Sequence, residues 1–264
     1  MKVICTRQKH EDGTPTAEWL QARTGRITAS RIADVLNYLK PTKAMLEKGI
    51  RPEEGQKRKD YRMEILCERL TAVPAEHFVS KPMKFGADYE DDARRAYELR
   101  TEWMVDQTGF VLHPAFDFAG ASPDGLVGTE GGLEIKVPNT ATHLEYLLAD
   151  VVPAEYQPQM FFNIECCELA WMDFCSYDPR LPEPLRLFVK RLHYDEEQCQ
   201  RINGEVLEFN ESIEDFITRL KERFGDFKLP EAQGPTQSGM SNEGLAEWGI
   251  STEDIQRVDP AYQP

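Results

Sequence analysis

The chain has 264 residues, 41% hydrophobic and 29% charged, which is the composition of an ordinary globular protein of one sizeable domain or two small ones. No run of about 18 apolar residues is present, which excludes a transmembrane helix, and the N-terminus lacks the apolar core of a secretory signal. We therefore expect a cytoplasmic protein with no membrane partner.

The charge is unevenly distributed along the chain. A net charge of −15 at pH 7 argues against a nucleic-acid partner, because affinity for DNA comes largely from neutralising phosphates. Net charge is a sum over the whole surface, however, whereas binding depends on local patches. One stretch is strongly basic, with Lys48, Arg51, Lys57, Arg58, Lys59 and Arg62. A basic stretch inside an acidic protein is compatible with a channel that grips DNA.

The first predicted elements are helical. Residues 19–37 indicate a helix, a turn at Gly25 and a second helix. Side chains that could donate hydrogen bonds to a phosphate gather near the start of the second helix, namely Arg23, Arg26, Thr28, Ser30 and Arg31. A capped surface helix with ordinary arginines is the alternative. Residues 40–60 are polar and predict a mobile basic loop, followed by a short amphipathic helix over residues 61–71.

A strong helix is predicted over residues 85–103. Its apolar stripe recurs every four residues, at Phe85, Tyr89, Ala93 and Tyr97. Glu90 lies one position off this stripe, within an acidic first turn that favours the helix dipole. Its side chain therefore either points inward at the edge of the stripe or is solvated.

The stretch SPDGLVGTEGGLEIKVP, residues 122–138, predicts a β-hairpin. Asp124 is expected near the end of the first arm, the glycines in the turn and residues 133–137 in the second arm. The period of two places Glu134 and Lys136 on one face. If Asp124 shares that face, two carboxylates converge, and a divalent ion such as Mg²⁺ or Mn²⁺ would neutralise them. The alternative is an exposed hairpin with an ordinary Glu–Lys pair.

The second half of the chain alternates between helices and strands. We predict helices over residues 140–150 and after Pro153, strands over 170–177 and 185–194, and a long amphipathic helix over 195–224. Together with the hairpin, this order indicates an α/β fold with a mixed central β-sheet flanked by helices.

The end of the chain has a different composition. Beyond residue 227 it shifts to Pro, Gly, Gln and Ser, which divides the chain into a domain over residues 1–227 and an acidic tail over 228–264. We expect the tail to dock on a neighbouring subunit or a partner protein through Leu245 and Trp248.

The motifs together resemble one family. Asp124, Glu134 and Lys136 follow the pattern D-x₉-E-x-K, which is similar to the PD-(D/E)XK nuclease motif, with Pro123 supplying the leading proline. The segments WLQARTGRITAS, YEDDAR, SPDGL, GLEIK, YQPQMFF and YDPR occur in the order of the phage lambda exonuclease family, over roughly residues 15–225. The resemblance implies a PD-(D/E)XK restriction-endonuclease-like core.

The resemblance also implies roles for individual residues. Asp124, Glu134, the carbonyl of Ile135 and Glu90 correspond to metal ligands, for Mg²⁺ with Mn²⁺ as a substitute. Lys136 corresponds to the residue that orients or activates the attacking water, and Gln159 to a glutamine that supports the site. The 5′-phosphate pocket of the family corresponds to Arg23, Ser30 and Ser122. A second family glutamine falls on Phe161, and a further upstream acid has Asp117 as its nearest candidate.

The implied function is a metal-dependent 5′→3′ exonuclease on double-stranded DNA ends, working as a homotrimeric ring. It would leave 3′ single-stranded tails for a single-strand annealing protein. Two alternatives remain open at this point: an endonuclease of the same superfamily, and a non-catalytic acidic DNA mimic or binding protein, which the charge of −15 suits.

Overall fold

The computed structural model describes residues 1–10, 13–75 and 81–230, with side chains from residue 84 onward in the last range. This part of the chain belongs to one compact unit, Met1–Ala232. The predicted tail lies outside the described residues from residue 231 on, as do its proposed anchors Leu245 and Trp248.

The described chain contains eight α-helices and nine strands. The helices are α1 Ala17–Arg23, α2 Ile32–Val35, α3 Lys43–Lys48, α4 Gln56–Thr71, α5 Lys81–Thr101, α6 Thr140–Ala149, α7 Gln157–Cys167 and α8 Glu196–Phe224. The strands are β1 Lys2–Cys5, β2 Ile27–Thr28, β3 Val105–Asp106, β4 Phe110–Leu112, β5 Ala119–Ala121, β6 Gly125–Val127, β7 Gly131–Lys136, β8 Trp171–Tyr177 and β9 Leu187–His193.

The strands form two mixed sheets rather than the single central sheet that we predicted. A four-stranded sheet has the order β1-β4-β5-β2, and a five-stranded sheet has the order β3-β6-β7-β8-β9. Strands β7 and β8 pair in parallel, with helices α6 and α7 in the crossover that connects them, while the other pairs of the larger sheet are antiparallel. The α/β class with helices flanking mixed sheets is confirmed.

Most predicted helices and strands are present, and local chemistry explains where the later helices start. The side chain of Asn139 accepts a hydrogen bond from Thr142 N at the start of α6, and Asp195 accepts one from Gln198 N at the start of α8. Helix α7 starts at Gln157 with Pro158 in its first turn, where the missing N–H of proline costs nothing. On the apolar face of α8, Val206 and Phe209 are fully buried, whereas Phe224 at the end of the helix is exposed.

The predicted hairpin is confirmed, but its parts are placed differently. Strands β6 and β7 are antiparallel, with Gly125 opposite Leu133 and Val127 opposite Gly131. Asp124 therefore precedes the first arm instead of lying near its end. Gly125, Gly131 and Gly132 belong to the strands and not to the turn. At Gly131 a Cβ would collide with the ring of Trp171 on β8, so close packing across the sheet requires glycine there.

The predicted mobile basic loop over residues 40–60 is wrong. Helix α3 lies within this stretch, and α4 already begins at Gln56. Arg58 is 1% exposed and donates to Glu54 and Glu205, and Arg62 also pairs with Glu54. These ion pairs join the start of α4 to the distant helix α8, so the arginines of the basic stretch mainly hold the fold together instead of forming a free patch for DNA.

Within the described residues, no helix combines the length and the apolar character that spanning a membrane requires.

Candidate active site

Glu134 on strand β7 is at the centre of a buried polar cluster. Its side chain is almost completely buried, with the residue 1% exposed. Oε1 accepts hydrogen bonds from Lys136 Nζ and from Gln159 Nε2, the latter at 2.6 Å. Oε2 accepts a hydrogen bond from Asn163 Nδ2 at 3.1 Å. A carboxylate in such a place is stable only because it is paired with a charge and with hydrogen-bond donors. The alternative of an exposed hairpin with a surface Glu–Lys pair is wrong.

The opposite face of β7 explains why Glu134 is buried. Leu133 and Ile135 pack against Ala93 and Tyr97 of helix α5. Because side chains alternate along a strand, Glu134 must point to the other face, where helix α7 covers it. The hydrophobic packing of one face of β7 against α5 thus directs Glu134 on the other face toward α7.

Helix α7 supplies two amides from a single face. Gln159 and Asn163 are four residues apart, which places them one above the other on a helix. We predicted Gln159 but not Asn163, although the spacing of four was a signal that could have found it. Phe161, which takes the position of the second family glutamine, is 6% exposed and belongs to the hydrophobic core.

Asp124 lies beside Glu134 at the start of the hairpin. Its main-chain N donates to Leu133 O at 3.1 Å, and its Oδ2 accepts from Ile135 N at 2.6 Å. Burial raises the pKa of Asp124 to about 8, and the charges of Glu134 and Glu90 add to this effect, whereas Lys136 opposes it. Asp124 therefore lies within electrostatic reach of two further acids, Glu134 on β7 and Glu90 on α5.

Glu90 points toward the site from helix α5, with its side chain 22% exposed. Its Oε1 accepts a hydrogen bond from Arg94 at 3.0 Å, and its Oε2 accepts one from Lys9 Nζ at 2.5 Å. The sequence left open whether Glu90 is solvated or directed inward, and the structure places it at the inner edge. Lys9, close to the N-terminus, was not predicted.

Lys136 stands at the end of β7 between acids and an aromatic ring. Burial alone would lower the pKa of Lys136, but the charges of Glu134 and Asp124 outweigh burial, so its pKa is raised. Its Nζ also lies 5.1 Å from the centre of the Tyr156 ring. The side chain is thus fixed as an ammonium that donates toward the acids.

Two cavities open on this cluster. The larger cavity, of about 730 Å³, is lined by Asp124, Lys9, and Glu90 and Arg94 of helix α5. The smaller, of about 490 Å³, is lined by Lys136, Ile135 and Tyr156, and again by Lys9 and Glu90. Solvent-filled space therefore reaches the acids from one side and the lysine from the other.

The donor set suits a hard divalent cation. Across the ranges that the structure describes, no three His, Cys, Asp or Glu side chains form a ready-made metal site. Asp124 and Glu134 are turned instead toward protein donors. Their chemistry nevertheless fits Mg²⁺ or Mn²⁺, because burial, together with the charges of Glu134 and Glu90, raises the pKa of Asp124, and a cation would stabilise its ionised carboxylate.

The residues predicted for a phosphate pocket form a second cluster around Trp19. An Arg23 guanidinium N–H donates to Ser30 Oγ at 3.3 Å, and the guanidinium lies 4.3 Å from the centre of the Trp19 ring. Trp19 Nε1 donates to Ser122 Oγ at 2.8 Å. Arg23, Ser30 and Trp19 line a cavity of about 450 Å³. Ser122 is not part of this lining and is linked to it by its hydrogen bond with the Trp19 indole. Trp19 was not predicted as a site residue.

Arg23 is a half-buried cation that forms no ion pair in the part of the chain that the structure describes, although the charge of Glu68 reaches it across the cavity. Burial lowers its pKa, which is the effect of removing a charge from water without full compensation. An anion in this cavity would supply the missing partner.

Asp117 is not brought to the acidic cluster, because its carbonyl accepts from Arg26 at 2.9 Å at a different cavity.

The raised pKa of Asp124 predicts a pH-dependent stability. An acid whose folded-state pKa is near 8, above its ordinary 3.8, destabilises the fold as pH rises from about 4 to about 8. Asp124→Asn cannot ionise, yet its amide oxygen still accepts from Ile135 N. In a metal-chelating buffer we expect this variant to melt at a higher temperature than the wild type at about pH 9, with the difference shrinking toward about pH 5.

The matched control is Asp226→Asn at an acid whose side chain is 92% exposed. An equal pH-dependent gain at Asp226 would mean that the variants only relieve the overall negative charge, and the prediction for Asp124 would then be wrong. Thermal denaturation followed by circular dichroism across the pH range gives both answers.

Comparison with known proteins places this geometry in a family. Residues 18–170 match the YqaJ-like viral recombinase domain. Among solved structures, an alkaline exonuclease (LHK-Exo) from Laribacter hongkongensis is 37% identical, with a TM-score of 0.69 over 79% of this chain and 97% of that chain. The complex of LHK-Exo with dAMP gives the same values. No curated protein matches the chain.

A more distant structure shares the fold alone. A phage-related exonuclease from Haemophilus somnus 129PT is 15% identical, with a TM-score of 0.57 over 74% of this chain and 96% of that chain. The domain match spans more than half of the sequence, and LHK-Exo is covered over nearly its whole length. The chain therefore belongs to the YqaJ-like viral recombinase family, the lambda exonuclease family that its motifs resemble.

Proposed function

We propose that this protein is a metal-dependent 5′→3′ exonuclease that acts in the cytoplasm on the ends of linear double-stranded DNA. It degrades one strand and leaves a 3′ single-stranded tail for recombination by strand annealing. The observation that carries the proposal is the buried Glu134, held by Lys136, Gln159 and Asn163 beside Asp124. Similarity to an alkaline exonuclease supports the same class of activity.

In this proposal Asp124, Glu134, Glu90 and the carbonyl of Ile135 hold Mg²⁺, with Mn²⁺ as a substitute. Such ions, when bound, make water a nucleophile near neutral pH and neutralise charge on the phosphate oxygens. The support is that Glu134 and Glu90 lie within electrostatic reach of Asp124.

The remaining residues position the reactants. Lys136, as an ammonium, donates to the attacking water and to the phosphate, and its own position is set by Glu134 and by the Tyr156 ring. Gln159 and Asn163 hold the Glu134 carboxylate in one orientation, which lowers the cost of organising the site during the reaction.

The Arg23 cavity is proposed to receive the 5′-phosphate of the strand that is degraded. A guanidinium with a hydroxyl beside it binds phosphate well, and Arg23 has Ser30 in contact. Ser122 lies two residues before Asp124 and hydrogen-bonds to Trp19, which also packs on Arg23. The phosphate cavity and the acidic cluster are thus joined through Trp19 and a short piece of chain, which suits removal of nucleotides from an end.

We also propose a homotrimeric ring and an annealing-protein partner. Large apolar side chains stand exposed on the single chain, with Leu99 at 84%, Met104 at 74% and Leu148 at 87%. A closed ring would cover such surfaces and could turn basic residues inward and acids outward, which reconciles the net charge with DNA binding. Light scattering after size exclusion tests the ring, and a mass of one or two chains would exclude it.

The activity and its end preference are tested with strand-labelled DNA and Mg²⁺. We expect the wild type to shorten the 5′-phosphorylated strand of a linear duplex and to leave a closed circle intact, since only an end can enter the Arg23 cavity. A 5′-hydroxyl end should be degraded more slowly. The preference is the ratio of the degradation rates of 5′-phosphorylated and 5′-hydroxyl ends. Arg23→Ala should lower this ratio by about tenfold or more, because a charge-assisted contact to the phosphate is lost.

The control for Arg23 is Arg219→Ala on helix α8, at an exposed arginine whose guanidinium lies 3.8 Å from the carboxylate of Asp215. It should retain the preference for a phosphorylated end. Cleavage of the closed circle would favour an endonuclease of the same superfamily, and binding without any Mg²⁺-dependent cleavage would favour an acidic DNA-mimic or binding protein.

Lys136→Ala is expected to abolish hydrolysis while leaving DNA binding largely intact. Loss of a group that positions the nucleophile costs about a hundredfold or more in rate. Single-turnover cleavage and fluorescence anisotropy with the same duplex separate the two effects.

The matched control for Lys136 is Lys190→Ala, at a surface lysine of β9 that pairs with Asp150 at 3.0 Å. It should cleave as the wild type does. Mg²⁺-dependent cleavage by Lys136→Ala at a rate near that of the wild type would contradict the role of Lys136.

A further inference from the structure

The ion pair between Lys9 and Glu90 lies on the boundary between the two cavities of the site. The cavity that reaches Asp124 and the cavity that reaches Lys136 share only Lys9, Ala87 and Glu90 in their linings. Ala87 precedes Glu90 by three residues on α5, so the shared wall consists of one helical turn and the lysine that crosses to it. The side chains of the pair therefore form part of the wall between the two cavities.

The segment that presents Lys9 is fixed to the site. Gln8 Nε2 donates to Thr108 O and to Pro123 O, both at 2.8 Å. Pro123 directly precedes Asp124, so this segment is tied to the main chain beside the acidic cluster. Lys9 itself forms a β-bridge with Pro15. The backbone at Lys9 is therefore held in place, while its long side chain can change partner by rotation alone.

The two members of the pair depend on each other unequally. Glu90 keeps a second cation, since Arg94 donates to its other oxygen at 3.0 Å. Lys9 has Glu90 as its one acidic partner among the residues that the structure describes. Its side chain is 36% exposed, and an ion pair that is open to water is weakly held. Glu90 thus remains paired if Lys9 leaves it for another anion.

We propose that Lys9 exchanges Glu90 for a backbone phosphate of the bound DNA strand, and that this exchange opens the wall between the cavity at Asp124 and the cavity at Lys136. The inference rests on the proposed function, because it requires DNA in the cleft. Lys9 then has two roles: it neutralises Glu90 in the free protein and binds the strand in the complex. Lys9 would be a phosphate-binding residue additional to those of the Arg23 cavity.

The exchange is tested by the salt dependence of DNA binding. Each phosphate contact made by a lysine contributes about one unit to the slope of log affinity against log salt concentration, so Lys9→Met should lower the slope by about 1. Lys9→Arg should keep the slope of the wild type. The measurement is anisotropy of a labelled 5′-phosphorylated duplex with Ca²⁺ in place of Mg²⁺, with the duplex checked for integrity on a gel.

The matched control is Lys190→Met, since Lys190 is also ion-paired and its side chain is 38% exposed. It should leave the slope unchanged. A Lys9→Met variant that binds DNA with the wild-type slope, whether or not its melting temperature falls, would show that Lys9 is only a counter-ion of Glu90. If Lys9→Met does not fold, Lys9→Gln gives the same two outcomes.

Failure of the proposed function is read separately. A wild type that binds no linear duplex, or binds it without Mg²⁺-dependent cleavage, overturns the exonuclease proposal. A wild type that binds and cleaves, together with an unchanged slope for Lys9→Met, overturns the Lys9 inference alone.

Discussion

The burial of Glu134 is the constraint on which the candidate site depends. Strand β7 is covered on both faces, by α5 and by α7, so a carboxylate on it has no access to bulk water. Such a group needs a compensating charge and directed donors, or it would take up a proton. Lys136, Gln159 and Asn163 meet that need. They also hold the Glu134 carboxylate in one orientation, so the same contacts serve the fold and the proposed chemistry.

The cations of the cluster are unevenly shared among its acids: Glu134 pairs with Lys136 and Glu90 with Lys9 and Arg94, whereas Asp124 forms no ion pair among the described residues. Asp124 has the hydrogen bond from Ile135 N and the charge of Lys136 at some distance, and burial beside Glu134 and Glu90 still raises its pKa to about 8. This imbalance is costly for the fold in the absence of another cation. It is the kind of local strain that proteins keep where a ligand relieves it.

The net charge of −15 does not show how much positive charge is available locally to bind DNA. Several arginines of the basic stretch pair with acids of the same chain, including Arg58 with Glu54 and Arg51 with Glu205. In the proposed function, Arg23 and Lys9 supply positive charge to the substrate, each from the lining of a cavity. Arg23 forms no ion pair among the described residues, and Lys9 pairs with Glu90.

The sequence by itself determined the elements whose periodicity is local: the hairpin, the stripe of α5, the long helix α8 and the D-x₉-E-x-K spacing of Asp124, Glu134 and Lys136. These follow from contacts between neighbours in the chain, which sequence periodicity records. Only the tertiary structure decided that Glu134 is buried, that Lys9 reaches Glu90, and that the predicted basic loop is an ion-paired helix start. Each of these depends on segments far apart in the chain, such as Lys9 and Glu90, which are 81 positions apart, and no local pattern encodes such a pairing.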